Sequence, residues 1–188
     1  MKKTSLVLAL IFATVVVFAQ NLPAAQARKT TTSATVAFDA TTPKDNLPKA
    51  ENKTVIGSID FTTGDVAFEA SVKNFNFTNP KMQEHFNGTN WMNSDQFPKF
   101  TYTGKIDNVK KIKIQKDGVY KAKVIGTMTI KGVSKPCEAN GTITVAGGKI
   151  SVVANLKIKL EDYGISGQQP IEAGKVAKEP MITVSAQF

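Results

Sequence analysis

Apolar and polar positions alternate over most of this chain. Between Asp65 and Lys73, Val66, Phe68, Ala70 and Val72 share one side, while Asp65, Glu69, Ser71 and Lys73 share the other. A period of two marks a strand with one buried and one solvated face. The same reading predicts strands over Thr32 to Ala40, Lys53 to Phe61, Lys99 to Ile106, Gly118 to Lys131, Lys135 to Ala146, Ile150 to Leu160 and Pro180 to Phe188, eight with the first. In the last of these, Ile182, Val184, Ala186 and Phe188 compete with Met181 for the inward face. Turns are expected at Thr62 to Asp65, at Gly132-Val133 and at Gly147-Gly148, where two glycines supply the positive φ angles of a tight hairpin. Thr41 to Asn52, with Pro43 and Pro48, reads as a connection, and the Thr-rich start from Arg28 to Ser33 as frayed. Asn108 to Asp117 reads as an irregular strand end or a protruding hairpin, and Asp162 to Ala177 as a loop or a short helix.

Antiparallel hairpins of this kind either stack as a sandwich or close into a barrel. Gly118 to Lys131 is longer than the usual strand of about five or six residues, which favours tilted strands running around a cylinder. The expected fold class is therefore all-β, an eight-stranded antiparallel β-barrel with one or two short helices. Small residues at inward positions, among them Gly57, Gly104, Gly126 and Gly141, either leave internal space for a ligand or mark bends in the wall.

One stretch departs from the alternation. Lys81 to Phe100 holds the only His and the only Trp of the chain. Its Met82, Phe86, Trp91, Met92, Phe97 and Phe100 each favour burial by roughly 1.5–3 kcal/mol, so the segment packs on a core or caps a pocket. Asn79-Pro80 signals a helix start and Gly88 its stop, which predicts a short helix over Pro80 to Asn87. Phe97-Pro98 then interrupts any regular element before the next strand.

Composition adds a compartment. Lys2 and Lys3, the apolar run from Leu6 to Phe18 and the small-residue site Ala25-Gln26-Ala27 form a secretory signal peptide over residues 1–27, with cleavage after residue 19 as an alternative. The run is too short for a membrane anchor, and no Cys precedes Cys137 to serve as a lipidation site. The expectation is a single domain over residues 28–188, secreted across an inner membrane into the periplasm. A lone Cys137 excludes an internal disulfide. The formal charge of +9 is compatible with an anionic membrane surface or an acidic ligand. Export argues against nucleic acid.

Catalytic devices are missing. The chain has no Gly-x-Ser-x-Gly elbow, no phosphate-binding glycine loop and no paired cysteines at metal spacing. His85 stands without a neighbouring nucleophile or second base, and one His does not build a zinc site. No catalytic residue, metal or cofactor is expected.

Three segments carry a family resemblance: Met82 to Ile106 (MQEHFNGTNWMNSDQFPKFTYTGKI), Gly126 to Pro136 (GTMTIKGVSKP) and Leu160 to Ile165 (LEDYGI). Together they resemble the YceI-like, polyisoprenoid-binding family of secreted bacterial proteins, and the first segment resembles its Bacteroidetes branch. Met128 stands where the family hairpin usually has Leu, and Glu161 where Arg is frequent. The resemblance implies a lipocalin-like barrel with an elongated pocket for an isoprenoid chain, such as a polyprenyl phosphate or a quinone tail.

On that basis the expected ligand-binding residues are Phe68, Phe75, Phe77, Met82, Phe86, Trp91, Met92, Phe100, Tyr102, Tyr120, Met128 and Ile158, with His85 as a polar contact at the opening. The expected function is non-catalytic sequestration or transport of an isoprenoid-type lipid, with homodimer formation left open. The alternative is a barrel with a filled core that docks an envelope partner through the basic face carrying Lys99, Lys105, Lys110, Lys111, Lys113, Lys116, Lys121 and Lys123.

Overall fold

The computed structural model describes residues 28–188, and the expected signal peptide lies outside them. The strands are β1 (Arg28–Asp39), β2 (Lys49–Asp60), β3 (Asp65–Ser71), β4 (Asn76–Phe77), β5 (Lys99–Ile106), β6 (Gly118–Ile130), β7 (Val133–Ala146), β8 (Lys149–Lys157) and β9 (Met181–Gln187). Two helices, α1 (Pro80–Asn87) and α2 (Gln169–Glu172), sit in the connections. The sheet runs β1-β9-β8-β7-β6-β5-β3-β2, and β1 pairs again with β2, which closes an antiparallel eight-stranded barrel. Closure removes the unpaired sheet edges that would otherwise template aggregation. The short β4 lies outside this ring and adds two residue pairs to β2.

The alternation assigns the inward faces. Val55 and Ile59 of β2, Val66 and Ala70 of β3, Ile143 and Val145 of β7, and Val152 and Leu156 of β8 are all buried. The ambiguous last strand turns Ile182 and Ala186 inward and leaves Met181 37% exposed. Gly147 and Gly148 adopt φ of 56° and 77° and make the two-residue turn between β7 and β8.

Several boundaries differ from the sequence reading. The start of β1 is paired rather than frayed, with Arg28 to Thr31 opposite Gly57 to Asp60. Residues 49–52 are likewise strand, paired with Val36 to Asp39, and not connection. The cause is a register shift between Asn52 and Val55 that breaks the period of two. Asn52 is fully buried there: its Nδ2 donates to the Ser71 carbonyl at 2.9 Å, and its Oδ1 accepts from the Thr54 backbone N–H at 2.8 Å. The β6–β7 turn is centred on Lys131-Gly132, both at positive φ, one residue earlier than expected. Asn108 to Asp117 is a loop with a 3-10 turn over Val109–Lys111, anchored by the buried Ile112.

Candidate functional site

The end of the barrel from which β5 starts is covered by α1 and the segment that follows it. Asn79 caps α1, its side-chain oxygen accepting from the Lys81 N–H at 3.0 Å. Gly88 closes the helix by donating to the Glu84 and His85 carbonyls. The chain then folds back: the Met92 N–H donates to the Phe86 carbonyl at 3.0 Å, and the Ser94 N–H to the Asn87 carbonyl at 3.1 Å. This brings Met92 under the helix beside Phe86, and both are buried. Phe86 is the hub of an aromatic cluster, with ring centroids 5.0 Å from Phe77, 5.9 Å from Phe75, 6.2 Å from Phe38 and 6.4 Å from Phe100. Such offset and edge contacts add about 0.5–1.5 kcal/mol each beyond area burial.

Behind this cap, among the described residues, lie a mouth cavity and two chambers inside the barrel. A mouth cavity of about 100 Å³ is lined by Phe77, Met82, His85, Trp91, Pro170 and Val176, among others. An upper chamber of about 80 Å³ lies inside the barrel, walled by Phe75, Phe100, Ile130, Ile158, Ile165 and Ile182. A lower chamber of about 70 Å³ is lined by Ile59, Ile106, Ala122, Ile143 and Leu156. Phe38, Phe86, Met92 and Leu160 face both the mouth and the upper chamber, and so form the partition between them. Phe68, Tyr102, Met128 and Val184 face both barrel chambers and form a second partition. A dry engineered cavity of about 150 Å³ takes a benzene, so an inserted chain would displace side chains at the partitions.

The second partition is built by register. Phe68 pairs with Tyr102, and Tyr102 with Met128, on the successive strands β3, β5 and β6. Gly57 lies opposite Phe68, and a Cβ there would overlap the Phe68 ring. Likewise a Cβ on Gly126 would come within 2.7 Å of the Tyr102 hydroxyl. The small inward residues at these two positions therefore neither leave empty space nor serve as bends alone, because they seat neighbouring rings. The Tyr102 hydroxyl donates to the Cys137 carbonyl on β7 at 3.1 Å, with the Val124 carbonyl as a second acceptor at 3.4 Å. Burial, followed by the proximity of Cys137 and Glu138, pushes the Tyr102 phenol up to about 12. Burial likewise raises the Cys137 thiol above its ordinary value, which disfavours a reactive thiolate.

The structure gathers twelve of the thirteen residues singled out from the sequence around the mouth and upper chamber. Phe68, Phe75, Phe86, Met92, Phe100, Tyr102, Met128 and Ile158 line the chamber, and Phe77, Met82, His85 and Trp91 the mouth. Tyr120 is the exception. It stands at the opposite end of the barrel, at the start of β6, where its hydroxyl donates to the Lys116 carbonyl at 2.8 Å, and it lines none of the three cavities.

The sequence reading missed Phe38, Leu160, Ile165 and Val184. For two of them the motif Leu160 to Ile165 was the signal. Gly164 takes φ +69° after a 3-10 turn, which returns the Ile165 N–H to the Leu160 carbonyl at 3.0 Å and points both side chains inward.

His85 is exposed at the mouth. Among the described residues no group of three or more His, Cys, Asp or Glu is placed to hold a metal ion. The basic face is partly neutralised, since Lys99 pairs with Glu69 at 2.8 Å, Lys123 with Glu138 at 2.8 Å and Lys105 with Asp65 at 3.7 Å. The exposed Lys110, Lys111, Lys113 and Lys116 lie in the loop at the end of β5 remote from α1.

Comparison with known proteins places this architecture. A polyisoprenoid binding domain from Saccharophagus degradans, implicated in plant cell wall breakdown, superposes with a TM-score of 0.69 at 15% identity over 85% of this chain and 96% of that one. BcnA of Burkholderia cenocepacia superposes with a TM-score of 0.66 at 18% identity, over 82% of this chain and 96% of its own. A UPF0312 protein of Staphylococcus aureus is 27% identical over 138 residues, which is 69% of this chain and 74% of the relative. The YceI-like domain model matches residues 18–188, and with the closed eight-stranded barrel in agreement the chain belongs to the YceI-like family.

Proposed function

We propose that the protein holds an isoprenoid-type lipid, a polyprenyl phosphate or a quinone tail, in its barrel, for sequestration or transport and without catalysis. The observation that carries this reading is the run of apolar side chains from the mouth past Phe86 into the upper chamber, in which Phe, Ile, Val and Met predominate. An apolar tail gains from leaving water in proportion to its area, without needing directional bonds. Each five-carbon unit fully buried would contribute about 4 kcal/mol at most, before the cost of displacing side chains. Met82, Met92 and Met128 suit this use, since the unbranched thioether adapts to irregular shapes.

The polyisoprenoid binding of the Saccharophagus degradans relative agrees with the reading, although at 15% identity the likeness carries the fold alone. Export to the periplasm belongs to the same proposal and rests on the Lys2-Lys3 and Leu6 to Phe18 pattern. So does a transient contact with an anionic membrane surface through the lysines of residues 110–116.

Trp91, the only tryptophan, lines the mouth and reports on occupancy. Titration with a prenylated quinone should quench its fluorescence saturably, while the same quinone head without the tail should leave it unaffected at equal concentration. Equal quenching by both, or by neither, would remove the basis for the proposal.

A further inference from the structure

The two partitions inside the barrel are held in opposite ways. Phe86 projects from a two-turn helix and is fixed by apolar ring contacts, which an inserted hydrocarbon can replace in kind. The inner partition is part of the wall. Phe68 lies in the recess of Gly57, and Tyr102 lies over Gly126 with its hydroxyl tied across β6 to β7. Moving Tyr102 aside would leave a buried hydroxyl without a partner, a loss that a hydrocarbon does not replace in kind. Moving Phe68 further outward is blocked by the backbone of Gly57.

We propose that Phe68, Tyr102 and Met128 form a length stop. Resting on the lipid-binding reading above, the tail passes Phe86, fills the upper chamber and ends against this layer. The chamber of about 70 Å³ beneath it stays free of tail. The ligand class is then prenyl chains of bounded length, with any excess units left at the mouth near Trp91 and Met82. The specificity is geometric, set by three register partners and the two glycines that seat their rings.

The test is a series of linear prenyl alcohols, geraniol, farnesol, geranylgeraniol and solanesol, titrated into the purified protein with Trp91 fluorescence as the readout. In the wild type, affinity should rise along the series to a limit and then level off. Phe68→Ala and Met128→Ala open the lower chamber and should move that limit to longer chains by at least one prenyl unit. Gly57→Ala displaces the Phe68 ring from its recess and should shift the limit as well. Phe68→Leu replaces Phe68→Ala if the latter does not unfold cooperatively. The same limit in wild type, Phe68→Leu and Gly57→Ala would overturn the length stop, as would a wild-type affinity still rising through solanesol. A wild type that binds none of the alcohols would instead overturn the binding reading on which the stop depends.

Discussion

Phe86 and Tyr102 both sit in the barrel as large rings dividing one cavity from the next, yet their surroundings differ. Phe86 meets four other phenylalanine rings and has no polar anchor. Tyr102 is in register with partners on both sides, lies over a glycine and hydrogen-bonds across a neighbouring strand. The first arrangement is stable but exchangeable, because any apolar surface of similar shape satisfies it. The second is specific, because its hydroxyl accepts no apolar substitute. On the proposed reading, the first partition yields to an entering hydrocarbon while the second keeps the shape of the barrel.

The contrast can be broken most sharply at the mouth. Phe86→Ala removes the hub of the aromatic cluster and should cost about 3–5 kcal/mol in denaturant unfolding, the range for deletion of a buried Phe. Added prenyl lipid should recover part of that loss by mass action. A loss that lipid cannot reduce would show that Phe86 is core packing and nothing more.

Tyr102→Phe keeps the ring and deletes only the hydroxyl. It should cost about 0.5–1.5 kcal/mol, the net worth of an ordinary hydrogen bond, and lipid should not restore it. A substitution without effect would show that the tether to Cys137 contributes nothing to the inner layer.

Alkaline pH probes the same layer without mutation. The phenols of Tyr102 and Tyr163 are pushed from 10.0 up to about 12 by burial. The folded chain therefore holds these protons more tightly than the unfolded chain, so stability is complete below about pH 10 and falls as pH rises toward about 12. Denaturation midpoints should drop across that window, and the drop should be shallower in Tyr102→Phe. An identical pH profile in both proteins would place the effect elsewhere.

The smallest effect is expected at the rim. Lys73 and Asp95 join β3's exit to the segment after α1 at 2.6 Å, but Asp95 is 87% exposed and the pair is screened by solvent. Asp95→Ala should change stability by about 0.2–1 kcal/mol, and less in high salt. A larger change would mean that the cap is held more rigidly than its apolar contacts imply.

Much of this was legible in the sequence because a strand with one buried face writes its orientation in a period of two. Val66, Ala70, Ile143 and Leu156 were assigned inward by alternation alone, and Asn79 with Gly88 bounded α1. The start of β2 was not legible, since the shift at Asn52 to Val55 interrupts the period where pairing with β1 continues. Tyr120 shows a second limit. Alternation gives the face of a residue but not its height along the barrel axis, and Tyr120 faces inward far from the mouth. The partitions depend on cross-strand register, which no single segment encodes. The glycines at 57 and 126 are visible in the sequence, but the rings they seat are identified only once β2 meets β3 and β5 meets β6.

An isoprenoid-type lipid is the ligand proposed for this barrel. The most direct test is organic extraction of the protein purified from the cells that make it, with mass spectrometry of the extract against a matched control protein. The expected result is one class of prenyl-chain lipid in near-stoichiometric amount, lost on Trp91→Ala. Recovery of no prenyl or quinone species from folded wild-type protein would contradict the claim.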